Sequence, residues 1–183
     1  DAYVVELSWN PCDYSFAEIL ENAGDTPLPP YIKRKADDID LKRYQTIYSK
    51  YEGSVAAPTA GLHFTPHIFH SFKEKKICTV FTTLHVGAGT FKPVKSEIME
   101  GHEMHAEWME ITTSFIEELI ANISSGIICV GTTSVRTVES LYWMGVKALA
   151  NPGITIDDLS IKQWEVYENI LQNICSGEKA LKS

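Results

Sequence analysis

At 183 residues, with 44% hydrophobic and 22% charged side chains, the chain has the size and apolar content of one packed domain, which excludes intrinsic disorder. No uninterrupted apolar run of about 18 residues occurs, so a soluble protein with no membrane partner is expected. The net charge of −8 falls in the second half: residues 1–95 hold 11 acidic and 11 basic side chains and residues 96–183 hold 13 and 5, a balance that does not by itself suggest nucleic acid.

The segment YVVELSW (3–9) has strand propensity, and residues 1–10 read as the end of a strand continuing from a missing N-terminal part. Cys12, Cys78, Cys129 and Cys175 form no CxxC pair and read as reduced, cytosolic, mostly buried thiols, which places the protein in the cytoplasm. Ser15 with Glu18 three residues on, followed by Gly24, predicts a capped helix over 15–24. The prolines of TPLPPYIKR (26–34) force an extended or turned segment that leaves Lys33, Arg34 and Lys35 at a rigid basic corner. Ile39, Leu41, Tyr44, Ile47, Tyr48 and Tyr51 recur at helical spacing up to Gly53, with Lys42 and Arg43 between them, predicting a second, amphipathic helix.

Thr65 and Pro66 predict a helix running to about Lys76, and ICTVFTTLHV (77–86) a buried strand that ends in a glycine loop. WMEIT (108–112) and IICVG (127–131) read as further strands, TSFIEELIANIS (113–124) as a helix capped by Thr113 or Ser114, and TTSVRTVESLYWMG (132–145) as another helix. The segment 157–174 reads as an amphipathic helix with no functional role. Strands alternating with helices give an α/β fold in which a mixed sheet is covered by helices on both faces, and residues 88–112 offer an antiparallel addition. The final stretch ICSGEKALKS (174–183) brings no closing apolar element, so one incomplete α/β domain over 1–183, an internal piece of a larger protein, is expected.

Four stretches carry chemistry. VAAPTAGLHFT (55–65) is uncharged yet holds Pro58, Thr59, Gly61 and His63. In TLHVGAGTF (83–91), His85 is either a satisfied core histidine or a group presented at a strand end, with Gly87, Gly89 and Thr90 in the loop beyond it. GHEMHAEW (101–108) gathers His102, His105 and Glu107; the HExxH zinc pattern fails because position 106 is Ala, and a metal site, an acid/base pair and a solvated polar turn all stay open. VGTTSVRTVES (130–140) puts Thr132, Thr133 and Ser134 at a strand-to-helix junction, which suits an anion or is ordinary capping.

Taken together, PLPPYIKR, YQTIY, GSVAAPTAGLHFT, TLHVGAGTFKPV, HEMHAEW and VGTTSVRTVES resemble, in order and approximate spacing, the S-adenosylmethionine:tRNA ribosyltransferase-isomerases of queuosine biosynthesis. The resemblance is close over residues 27 to about 140 and poor over 150–183, and most of the family's small β-barrel domain has no counterpart here. It implies transfer and rearrangement of the ribosyl group of S-adenosylmethionine onto 7-aminomethyl-7-deazaguanine in tRNA, with no metal, by a protein expected to be monomeric. It also implies that PTAGLHF walls the active site, that His85, His102, His105 and Glu107 are the acid/base candidates, and that Thr132, Thr133, Ser134 and Arg136 take a carboxylate or phosphate, with Glu139 orienting Arg136. Lys33, Arg34, Lys35, Lys42 and Arg43 are the candidate tRNA surface, against the alternative of a solvated helix face. Two rivals are a metal-dependent hydrolase built on His102, His105 and Glu107, and a non-catalytic RNA-binding fragment; the 183 residues alone are expected to be inactive.

Overall fold

The computed structural model describes residues 3–51, 53–91, 96–102, 104–168 and 175–183. Helix α1 (Phe16–Ala23) forms where the local signals demand it: Glu18 accepts from the Ser15 backbone N–H at 2.7 Å, Ser15 Oγ accepts from the Glu18 N–H, and Gly24 caps the far end. The predicted long helix after Ile39 is instead one short turn, α2 (Asp40–Arg43). Beyond it the chain folds back so that Tyr48 joins Phe64, Phe69 and Phe81 in an aromatic cluster, with ring centroids 5.5–6.5 Å from Tyr48. Packing that ring against distant aromatics outweighs a weak helical propensity.

A 3-10 turn (Thr59–His63) follows, and α3 (Pro66–Glu74) starts at Thr65, whose hydroxyl accepts from the Ile68 N–H. Strand β1 (Thr83–His85) pairs antiparallel with β2 (Trp108–Glu110), in the register Thr83↔Glu110, Leu84↔Met109 and His85↔Trp108. Between them lie 3-10 turns at Ala88–Phe91 and Met99–Gly101. Helix α4 (Thr113–Asn122) is capped by Thr112, one residue before the predicted cap; α5 (Thr132–Ala150) and α6 (Gly177–Leu181) complete the described helices. The tightest packing joins α5 to α6, where Val146 and Ala180 are almost fully buried and Tyr142 Oη donates to the Cys175 carbonyl at 2.9 Å.

The architecture is therefore mixed α and β, but among the described residues the sheet has two antiparallel strands rather than a mixed sheet layered between helices. Residues 3–9 and 127–131 form no strand, and Val4 and Ile128 are more than nine-tenths exposed. β-propensity becomes a strand only beside a partner that takes up the backbone N–H and C=O groups, and no described strand runs alongside either segment. Within 157–168 the chain makes turns and a 3-10 segment (Glu165–Tyr167) in place of the predicted helix; residues 169–174 of that prediction lie outside the described residues. All four cysteines are free thiols, and none is buried as expected: Cys12 and Cys78 are exposed, Cys129 and Cys175 half-buried. No described helix is long and apolar enough to cross a membrane.

Candidate functional site

The β1–β2 register builds the site. Because His85 lies opposite Trp108, the loop leaving β1 runs back along the segment that enters β2. Thr90 Oγ1 thereby comes within 3.4 Å of Glu107 Oε1, and Gly89 packs directly on the imidazole of His105. A Cβ at Gly89 would stand 2.7 Å from His105 Cγ, so only glycine lets the ring lie there. His105 and Glu107 precede β2 instead of sharing a strand face, and each is held from the opposite loop.

Helix α5 closes the other side. Arg136 Nη1 lies 3.7 Å from Glu107 Oε2, with the carboxylate mostly buried and the guanidinium half exposed. Among the described residues Arg136 pairs with Glu107 and not with Glu139, its predicted partner. Glu139 lies instead along a groove lined by Leu119, Cys129, Val138 and Tyr142, where burial and then the Glu139 charge push the Cys129 thiol up from its ordinary value.

The start of α5 touches the uncharged turn. Gly131 has φ +90°, and a Cβ placed on it would meet Ala60 Cβ at 3.3 Å, so the Thr59–His63 turn and the helix N-terminus are in van der Waals contact. No described side chain caps α5. Ser134 Oγ donates to the Val130 carbonyl at 2.9 Å, which turns that hydroxyl toward its own backbone, whereas Thr132 is exposed and Thr133 half-buried. Pro58 leads the turn, Gly61 is buried beneath the Tyr48 hydroxyl, and Thr59 and His63 are exposed. Gly87 is exposed at the start of the glycine loop.

His85 has a different setting. Its ring lies 5.3 Å from that of Trp108, and its Nδ1 faces Gly53, whose φ of +128° and lack of a Cβ make room for it. His102 is half-buried, and its main chain is tied down by a residue the sequence did not single out: Gln163 Nε2 donates to the His102 carbonyl at 2.7 Å and Gln163 Oε1 accepts from the Met104 N–H at 2.8 Å. Nothing in the local sequence marks Gln163, because its partners are about 60 positions away. Among the described residues no group of three or more His, Cys, Asp or Glu side chains is arranged to hold a metal ion.

At the basic corner one of the five predicted cations is tied to its acidic neighbours. Arg34 makes a two-bond pair with Asp40 at 2.6 and 2.7 Å and also approaches Asp37 at 3.6 Å, so it locks the corner to α2. The Arg34 hydrogen bonds, helped by the Asp37 N–H, hold the buried Asp40 carboxyl down at about 2. Lys33, Lys35, Lys42 and Arg43 are exposed around that lock.

A family model described as queuosine biosynthesis protein matches residues 1–173. The chain is 52% identical over 128 residues to a protein of Thermoanaerobacter sp. (strain X514) named S-adenosylmethionine:tRNA ribosyltransferase-isomerase, a match covering 69% of this chain and 37% of that protein. A protein of the same name from Caldanaerobacter subterraneus subsp. tengcongensis is 50% identical over 131 residues, covering 70% and 38%. The matches thus span little more than a third of these relatives' length. No solved structure matches the chain. A match over nearly all of its residues settles the family: the chain belongs to the queuosine biosynthesis proteins.

Proposed function

We propose that the protein carrying this chain transfers and rearranges the ribosyl group of S-adenosylmethionine onto 7-aminomethyl-7-deazaguanine at the tRNA wobble position. The product is epoxyqueuosine, released with adenine and methionine, and the enzyme works as a cytoplasmic monomer. The observation that carries this reading is the 50–52% identity to proteins bearing the ribosyltransferase-isomerase name.

The geometry supports it in three ways. Neither the 59–63 turn nor the Gly87–Thr90 loop has an ionisable side chain but His63, which suits a cationic sulfonium: neutral dipoles orient it without burying a further charge. The exposed end of α5, with Thr132 and Arg136, offers backbone N–H groups and a guanidinium to the methionine carboxylate. His105, seated on Gly89 and two residues from Glu107, is the group assigned to move a proton, first from the carbon beside the sulfur and later toward the departing adenine. Lys33, Lys35, Lys42 and Arg43 take the tRNA backbone.

The test is to incubate the full-length protein with S-adenosylmethionine and tRNA carrying the 7-deazaguanine precursor. Adenine released in step with epoxyqueuosine formed in the digested tRNA is the expected result. Binding of tRNA with no consumption of S-adenosylmethionine would make it a non-catalytic RNA-binding protein, and hydrolysis that depends on an added divalent metal would favour a hydrolase.

A further inference from the structure

We propose that Gln163 is the positioning residue of the site: its side-chain amide sets the backbone at His102 and at Met104 and, through it, the placement of His105 and Glu107. This rests on the functional reading above. The amide imitates a strand neighbour, giving one donor to the His102 carbonyl at 2.7 Å and taking one from the Met104 N–H at 2.8 Å. Both bonds are at ordinary full-strength distances, and together they restrain the backbone immediately before His105.

The amide is itself held in place. Lys147, on α5, reaches the Ser160 carbonyl at 2.6 Å and the Glu165 carboxylate at 2.6 Å, and Glu165 accepts from the Lys162 N–H at 2.9 Å. The Lys147–Glu165 pair is mostly buried, with side chains 17% and 11% exposed, so it is little screened. The segment 160–165 is thereby bolted to α5, the same helix that presents Arg136 to Glu107. One rigid element thus fixes the Glu107 segment at two points: directly at the carboxylate, and through Gln163 at the backbone three to five residues earlier. The acid/base group His105 lies between these two anchors, where the loop by itself has no regular structure to hold it. This gives the 160–165 segment a role in the site through its hydrogen bonds to the His102 and Met104 backbone.

The test uses Gln163→Met in the full-length protein, which keeps the side-chain volume and removes both bonds. Hydrogen exchange of the peptide spanning 99–108 is expected to rise while peptides of α5 stay protected. With S-adenosylmethionine and precursor tRNA, kcat is expected to fall roughly 10-fold to 100-fold with the two KM values within about 2-fold, the mark of a displaced reacting group. Placed on His105→Ala, the same change is expected to cost far less than it does in the wild type, because most of its effect passes through His105. Unchanged exchange at 99–108 would overturn the clamp. Lost protection in α5 as well, or a kcat loss that multiplies fully with that of His105→Ala, would make Gln163 a residue of general stability and overturn the positioning role. An inactive wild-type protein would overturn the functional reading instead, with the clamp still judged by exchange.

Discussion

Arg136 and Glu107, 29 positions apart in sequence, face each other at 3.7 Å across the mouth of the site. The carboxylate has a second neighbour in the Thr90 hydroxyl, so Glu107 bridges the glycine loop and helix α5. Replacing Arg136 therefore acts on two things, the proposed methionine-carboxylate interaction and the partner that restrains Glu107.

For Arg136→Ala in the full-length protein, the KM for S-adenosylmethionine is expected to rise by about 10-fold or more, as when a charge-assisted hydrogen bond is removed, while that for tRNA changes little. Steady-state kinetics with each substrate varied in turn checks it. A change confined to tRNA would remove Arg136 from the methionine end.

His105 is exposed, so its removal leaves no cavity in the core. His105→Ala is expected to lower kcat by roughly 100-fold or more and to leave the melting temperature and tRNA affinity nearly unchanged. A near-normal kcat would reduce His105 to a surface side chain.

Gly89→Ala is the complementary change. A methyl group there would stand 2.7 Å from His105 Cγ, at the root of the ring, so the imidazole must leave its seat. The expectation is a kcat loss approaching that of His105→Ala with folding retained, since Gly89 lies in a short 3-10 turn away from the α5–α6 core. Normal activity in Gly89→Ala, read beside a circular dichroism spectrum, would show that the ring has no fixed seat.

At the basic corner, Lys33 and Lys35 are expected to act through charge alone. Lys33→Gln with Lys35→Gln should weaken tRNA binding and lower the slope of log affinity against log salt by about 1 for each phosphate left without its cation. Arg34→Gln should instead lower the melting temperature, because Arg34 is bound to Asp40. Titrations at several salt concentrations, together with thermal melts, separate the two roles.

Asp40 gives a pH signature. Its carboxyl is held at about 2 in the folded chain, below the ordinary carboxylate value of about 4, so the folded state favours its charged form. That stabilisation is fully present above about pH 4 and disappears as the pH falls toward about 2. Wild type should therefore melt above Asp40→Asn at neutral pH, and the gap should close over that interval. A gap that persists at about pH 2 would assign the effect to packing.

Signals confined to one helical turn were legible in the chain alone. The capping box at Ser15 and Glu18 and the Thr65–Pro66 start of α3 each depend on groups a few residues apart, which the sequence displays directly. The motif series likewise pointed to the family that the comparison then established. Long-range packing settled the rest. Whether 3–9, 77–86 or 127–131 became strand depended on a neighbour to share hydrogen bonds, and only Thr83–His85 found one, in β2. Arg136 took Glu107 as its partner in preference to the Glu139 one turn along its own helix, and Gln163 reached across to residues about 60 positions away. Those pairings are set by distance in space, which the β1–β2 register and the α5 anchor fix, and no local pattern in the chain encodes them.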